Sequence, residues 1–309
     1  MAMQRLALCA LLAICFVQGA AANGRLDRYP DFASRFVAPR NVTIWTPEGY
    51  DPKGPPLPVV YMQDGENLYE PSHSLSGADW EIDATVSRLI REKAIPPVIV
   101  VGIYSTALRG REYLPRKIAD HLPVEVRDTI YAGWQGPPLS DEYLRFIVEE
   151  LKPFVDAHYN TRRDAAHTFI LGSSMGGLIS FYAMAEYPDV FGGAACLSMH
   201  WLLANPMAAG VKLDPDTYAR QVVSAFDVYL DGSRLRPEGH RLYIDRGDRT
   251  LDRSYAPFIA PFEAMMERRG WRQDGSYDMK FFPGEEHSEK AWASRVAVPL
   301  QYLLADLPS

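Results

Sequence analysis

His167-Thr168-Phe169-Ile170-Leu171-Gly172-Ser173-Ser174-Met175-Gly176-Gly177-Leu178 changes character at its centre. The segment before Gly172 is short, apolar and rich in strand formers, as a strand covered on both faces should be. Residues 175 to 185 read as a helix leading away. Between them stands Gly172-x-Ser174-x-Gly176. This pattern marks a sharp strand-to-helix turn that lifts a serine hydroxyl clear of the sheet, with glycines beside it because side chains there would clash. Ser174 is therefore the candidate nucleophile, and the fold class is α/β with a mostly parallel central sheet.

Working outward, apolar runs bounded by turn residues alternate with stretches of helical period, as in an α/β protein. Strands are predicted over 42–46, 58–62, 97–104, 167–171, 193–198, 241–245 and 278–282, and helices over 79–93, 140–158, 175–187, 252–269 and 288–304. The clearest helix is 140–158. Ser140 is its expected N-cap, Asp141 and Glu142 suit its first turn, and Tyr143, Phe146, Ile147, Leu151, Phe154 and Val155 recur at helical spacing. Two stretches, 105–139 and 199–239, fit the alternation poorly. Long connections inside a compact domain are usually functional, so both are expected over the active-site end of the sheet. No internal repeat or long low-complexity tract interrupts the chain, and residues 23–309 are expected to form one domain.

A serine hydroxyl is a weak nucleophile and needs an adjacent base. In the strand–elbow–helix arrangement the chain order is serine, then acid, then histidine. Of seven histidines, His73, His121, His158 and His167 precede Ser174. His200 follows too soon to leave room for an acid strand, and His240 lies at the start of a strand, the wrong end. His287 follows Phe282-Pro283-Gly284-Glu285-Glu286, where a loop would return to the top of the sheet. The acid should lie between the strand 241–245 and His287, and both Asp248 and Asp252 qualify, with Asp252 the first choice. For the developing oxyanion, one backbone N–H is expected from Met175. The other should come from the loop Gln63-Asp64-Gly65-Glu66-Asn67, where Gly65 permits a close approach.

Composition bounds the alternatives. Charged residues make up 23% of the 309, the formal net charge is −7, and basic residues are dispersed, so nothing resembles the footprint of a nucleic-acid binder. There is no His-Glu-x-x-His and no His/Cys cluster with zinc spacing, so neither metal nor cofactor is expected. Residues 1–22 are a separate object. Arg5 precedes an apolar run, Leu6 to Val17, and Ala20, Ala21 and Ala22 offer a cleavage site, the pattern of a secretory signal. The run is too short to span a bilayer comfortably, so a secreted or periplasmic protein without a stable membrane anchor is expected. Removing the signal takes Cys9 and Cys15 and leaves Cys196 as the last of three cysteines, so no intrachain disulfide can form. Cys196 sits in an apolar run and reads as a buried thiol. Oligomeric state is not written in these patterns.

Met62-Gln63-Asp64-Gly65-Glu66-Asn67-Leu68-Tyr69, Asp79-Trp80, Val101-Gly102-Ile103-Tyr104, Arg111-Glu112-Tyr113-Leu114-Pro115, the elbow and Gly284-Glu285-Glu286-His287-Ser288-Glu289-Lys290 together resemble the esterase D and enterochelin-esterase-like superfamily, from about Ser34 to Leu304. The resemblance implies an α/β-hydrolase fold with insertions over the active-site end, a Ser-Asp-His triad and hydrolysis of a carboxylic ester. It favours Asp252, which ends the pattern Gly-x-x-x-Leu-Asp after its strand. It also implies that Trp201, Arg111 and Tyr104 approach substrate. Members of the superfamily act on acylated plant polysaccharides, siderophores, glutathione thioesters and mycolates; an export signal counts against the cytosolic thioester branch. The expected partner is a small-molecule or carbohydrate ester, with a siderophore esterase as the alternative. A non-catalytic binding protein on the same fold would lack a triad member, and none is missing here.

Overall fold

The computed structural model describes residues 24–74, 76–208 and 210–307. The expected signal segment and its two cysteines lie outside the described residues. Eight strands form, and all but the first follow the predicted runs: β1 (Arg25–Phe32), β2 (Arg40–Thr46), β3 (Val59–Gln63), β4 (Ile99–Ile103), β5 (Thr168–Ser173), β6 (Gly193–Leu197), β7 (Arg241–Arg246) and β8 (Tyr277–Phe281). They form one sheet in the order β1-β2-β4-β3-β5-β6-β7-β8. β2 is antiparallel to both β1 and β4, and every other pair is parallel. Seven strands, all but β2, therefore end at the same edge, and the connections leaving those ends share one rim.

Strand residues alternate between two buried layers, as a period of two requires. Val59, Tyr61, Ile99, Val101, Ile170 and Cys196 face one core. Val60, Met62, Val98, Val100, Phe169 and Leu171 face the other. The second layer is covered by α1 (Ile82–Arg91), with Val86 and Leu89 pointing in. Residues 105–139 fold into three short helices, α2 (Arg109–Glu112), α3 (Arg116–Ala119) and α4 (Val124–Gly133). Next come α5 (Ser140–Arg145) and α6 (Lys152–His158), separated by a π-helical turn at Phe146–Leu151. The first layer is then completed by α7 (Met175–Glu186), α8 (Pro215–Asp231) and α9 (Ala256–Arg268), which meet through Phe181, Phe226 and Phe262. Finally α10 (Glu289–Arg295) and α11 (Ala297–Leu304) return to the second layer through Trp292, Leu300 and Leu303.

Several expectations change. β1 was not predicted. Its charged residues Arg25, Asp27, Arg28 and Asp31 and its exposed or half-buried side chains belong to a sheet edge, where alternation is weak. The region 199–239 is not wholly irregular, because α8 occupies much of it. Its start is announced by Asp214, whose side chain accepts from Thr217 N at 2.9 Å, and by Pro215 in the first turn. Ser140 is not an N-cap: it lies inside the first turn of α5, and its Oγ accepts from Arg116 N at 2.9 Å. The helix 140–158 is also interrupted. Pro153 has no N–H and its ring would meet the carbonyl four residues earlier, which accounts for the widened turn just ahead of it. Residues 252–269 begin as a 3₁₀ turn, Thr250–Tyr255, before α9.

The two insertions start at the carboxyl ends of β4 and β6 and bond to each other. Trp134 Nε1 donates to the Leu203 carbonyl at 2.7 Å, and Asn205 Nδ2 to that of Gly133 at 3.0 Å. Among the described residues no helix is long and apolar enough to cross a membrane.

Candidate active site

β5 delivers the chain to Ser174, whose φ of 54° and ψ of −123° are costly for a residue with a Cβ. The turn is over-determined by its neighbours. Ser174 N donates to the Leu197 carbonyl at 2.9 Å, and His200 N donates to the Ser174 carbonyl at 3.1 Å. A Cβ on Gly172 would lie 2.6 Å from the Gly176 carbonyl carbon, so glycine is needed there for close approach rather than for its φ. Ser174 is partly exposed, whereas Ser173 is buried at the end of β5.

His287 stands on the loop between β8 and α10. Its Nε2 is 2.8 Å from Ser174 Oγ, and its Nδ1 is 2.6 Å from Asp252 Oδ1. The loop is fixed from the β7 side: Thr250 Oγ1 accepts from His287 N at 2.8 Å, and Asp248 Oδ1 accepts from Gly284 N at 2.9 Å. The rings of Trp292 and Tyr255 meet the imidazole edge to face, at centroid distances of 4.9 and 5.8 Å. Of the two carboxylates after β7, it is thus Asp252 that the structure brings to His287; Asp248 braces the loop that carries it.

Asp252 is fully buried in the 3₁₀ turn. Its Oδ2 accepts from Ser198 Oγ at 2.7 Å and from Gly247 N at 2.6 Å. Burial alone would raise its pKa, but the hydrogen bond and charge of His287, with the Ser198 and Gly247 donors, hold it below the usual carboxylate range. Behind Ser198 lies a buried ion pair, Arg295 with Asp245 at 3.0 Å. Sequence reading missed Ser198, Trp292 and Arg295. The one signal was Asp245, a carboxylate directly after the apolar Leu242-Tyr243-Ile244, which demands a charged partner where it is buried.

His200 is a different kind of histidine. Nε2 donates to the Ala204 carbonyl at 2.8 Å, so Nδ1, 3.0 Å from Tyr255 Oη, is the acceptor. Burial pushes its pKa down to about 4, against the effect of the Ala204 bond. It is a neutral core residue.

The loop after β3 adjoins the elbow. A Cβ on Gly176 would lie 3.0 Å from both Asp64 Oδ2 and Gln63 Cβ, and one on Gly65 would lie 2.7 Å from the backbone of Gly102 in β4. Met175 opens α7, where first-turn N–H groups have no partner within the helix. Beside them Asp64 takes two bonds from Arg109, at 2.6 and 2.8 Å. Arg109, which sequence reading passed over, is thus the arginine beside the elbow. Arg111 instead uses its Nε to hold the Pro137 carbonyl at 2.8 Å, within its own insertion. Trp201 does not reach the surface. It is fully buried and packs on Phe226, Phe258 and Phe262. Tyr104 lines a cavity of about 450 Å³ with Arg28, Tyr29, Asn41, Glu66 and His73, and neither Ser174 nor His287 is part of that lining. Cys196 is buried on β6, as expected. Among the described residues no group of three or more His, Cys, Asp or Glu side chains is placed to hold a metal ion.

Known proteins share this architecture. The chain is 26% identical to the iron(III) enterobactin esterase of Escherichia coli over 178 residues, 56% of this chain and 40% of that protein. It spans about 60% of the length of two Bacillus subtilis relatives, YbbA and YjcH, which it also matches. A solved ferulic acid esterase superposes with a TM-score of 0.61 at 17% identity, over 91% of this chain and 98% of the other. The ferric enterobactin esterase of Salmonella typhimurium gives 0.64 at 15% identity, over 90% and 57%. At these identities the structural likeness establishes the fold alone, an α/β-hydrolase fold. The "Putative esterase" family model matches residues 33–300, a span that takes in the elbow, Asp252 and His287 alike, and this chain therefore belongs to that esterase family.

Proposed function

We propose that the protein is an exported serine carboxylesterase that works through an acyl-enzyme on Ser174. One observation carries the reading: an unbroken hydrogen-bonded line from buried Asp252 through His287 to a partly exposed serine on a strained elbow. In this mechanism His287 Nε2 takes the hydroxyl proton as Ser174 Oγ attacks the ester carbonyl. It then gives that proton to the departing alcohol, and a water repeats the sequence to free the acid. Asp252 fixes the imidazole tautomer and stabilises the transient imidazolium. Met175 N–H at the start of α7 supplies one oxyanion donor, and the β3 loop at Gly65 supplies the other. The substrate is an acylated carbohydrate or another small ester. The names of the similar proteins support esters of hydroxycinnamic acids and catecholate lactones as the compounds to test first.

The test is turnover on a panel of acetyl, feruloyl, longer acyl and catecholate esters. Ser174→Ala should remove activity by about a millionfold, the scale seen when a protease loses its serine, while the protein stays folded. A serine-directed phosphonate should label Ser174 and leave Ser173 untouched. Near-normal turnover of Ser174→Ala would mean that the elbow is not the reacting site. Export is tested by the N-terminus of the protein recovered outside the inner membrane, which should begin near residue 23.

A further inference from the structure

Ser198 follows β6 with a φ of 43°, is fully buried, and makes three side-chain hydrogen bonds. Trp292 Nε1 approaches its Oγ at 3.0 Å and Arg295 Nη2 at 2.8 Å. Indole and guanidinium nitrogens can only donate, and a hydroxyl has two lone pairs and one proton. With both lone pairs taken, the proton has one direction left, toward Asp252 Oδ2 at 2.7 Å. Arg295 is itself fixed by Asp245, at 3.0 and 3.2 Å, and Asp245 also accepts from Ser198 N at 2.9 Å. Trp292 and Arg295 lie three apart on α10, which begins just after His287. The contacts thus close a ring: His287, the first turns of α10, Ser198, Asp252, and back to His287.

We propose that Ser198 is a positioning residue for the acid of the triad, with its hydroxyl proton locked onto Asp252 by Trp292 and Arg295. This rests on the triad reading above. Holding Oδ2 from behind leaves Oδ1 facing His287 Nδ1 in the one orientation that selects the productive tautomer. The donor also withdraws charge from the carboxylate, so its loss should make Asp252 hold the imidazolium more strongly. The groups facing His287 are Asp252, Tyr255 and Ser174, with Trp292 from α10 and neutral His200 beyond the elbow. Arg295 and Asp245 connect to it by hydrogen bonds through Ser198 and Asp252.

The experiment compares Ser198→Ala and Ser198→Gly with the full-length enzyme, reading kcat, KM, the pH profile of kcat/KM and melting temperature. Glycine is the second variant because it takes a φ of 43° without strain. Both should lower kcat by about tenfold at unchanged KM, the scale of one hydrogen bond to a charged group, and both should move the acid limb to higher pH. A fall in melting temperature with kcat and the acid limb unmoved would overturn the proposal and leave Ser198 a purely structural residue. Asp252→Asn in the same assay keeps the two readings apart: if it retains activity, the triad reading fails, whatever Ser198 does.

Discussion

At the scale of single residues, the two carboxylates after β7 pose the sharpest question. They are four positions apart in the chain and both touch the His287 loop, yet one meets the imidazole and the other a backbone amide. Removing a triad carboxylate leaves the wrong tautomer populated, so Asp252→Asn should cost about ten-thousandfold in turnover. Asp248→Asn keeps an oxygen that can accept from Gly284 N, and should leave turnover within a few-fold. Turnover of the two variants, with folding checked by circular dichroism, separates these outcomes. A large loss confined to Asp248→Asn would reverse the assignment. Ser174, Asp252 and His287 were legible because order along the chain and position after a strand narrow the choice to very few residues. Ser198 and Arg295 were not, since a serine at a strand end and an arginine in an amphipathic helix look the same whether they serve a site or a surface.

At the scale of elements, strands buried on both faces stood out in the sequence and the sheet edge did not. β3, β4 and β5 are continuous apolar runs because two layers cover them. β1 alternates charge with partial burial and resembles a loop until its partner is known. The insertion after β6 shows the opposite: the family resemblance implied that Trp201 approaches substrate, and its indole is buried in the core. Trp201 lies against three phenylalanines, and its Nε1 has no hydrogen-bond partner. Trp201→Ala should therefore cost about 3–5 kcal/mol of stability and leave the preference among acyl groups unchanged. Trp201→Phe should cost less, because it removes a buried N–H that nothing accepts. Urea denaturation beside the ester panel checks both; a changed acyl preference in the alanine variant at normal stability would return Trp201 to the cleft.

For the whole molecule, buried neutral His200 ties stability to pH. Its folded pKa is depressed to about 4 from an ordinary 6.5. As pH falls through 6.5 the unfolded chain takes up a proton that the folded protein refuses until about pH 4. The stability it contributes is thus complete above 6.5 and is lost between there and about 4, a total on the order of 3 kcal/mol at roughly 1.4 kcal/mol per unit. Asp252, whose pKa is lowered, works in a more acidic window: its contribution is present above the ordinary carboxylate value of 3.8 and disappears below it. Urea unfolding at pH 7 and at pH 5 should show a smaller drop for His200→Gln, which can still accept from Tyr255 and donate to Ala204, than for the wild-type chain. Equal drops would mean that His200 is protonated in the folded protein.

The distances along the chain between the site's three residues have one more consequence. His287 comes 113 residues after Ser174 and 35 after Asp252, on the loop that follows the last strand of the sheet. Chains emerge from the ribosome amino end first, and contacts between distant segments form late in folding. The serine is therefore made, and its elbow can be shaped, while its base does not yet exist. If His287 is the base, as proposed, the hydroxyl has nothing to take its proton until β8 pairs with β7 and α10 seats Trp292 and Arg295 behind the acid. On the proposed triad, a nascent or half-folded chain would be chemically silent toward esters, and activity would begin only with the closing of the sheet's final edge.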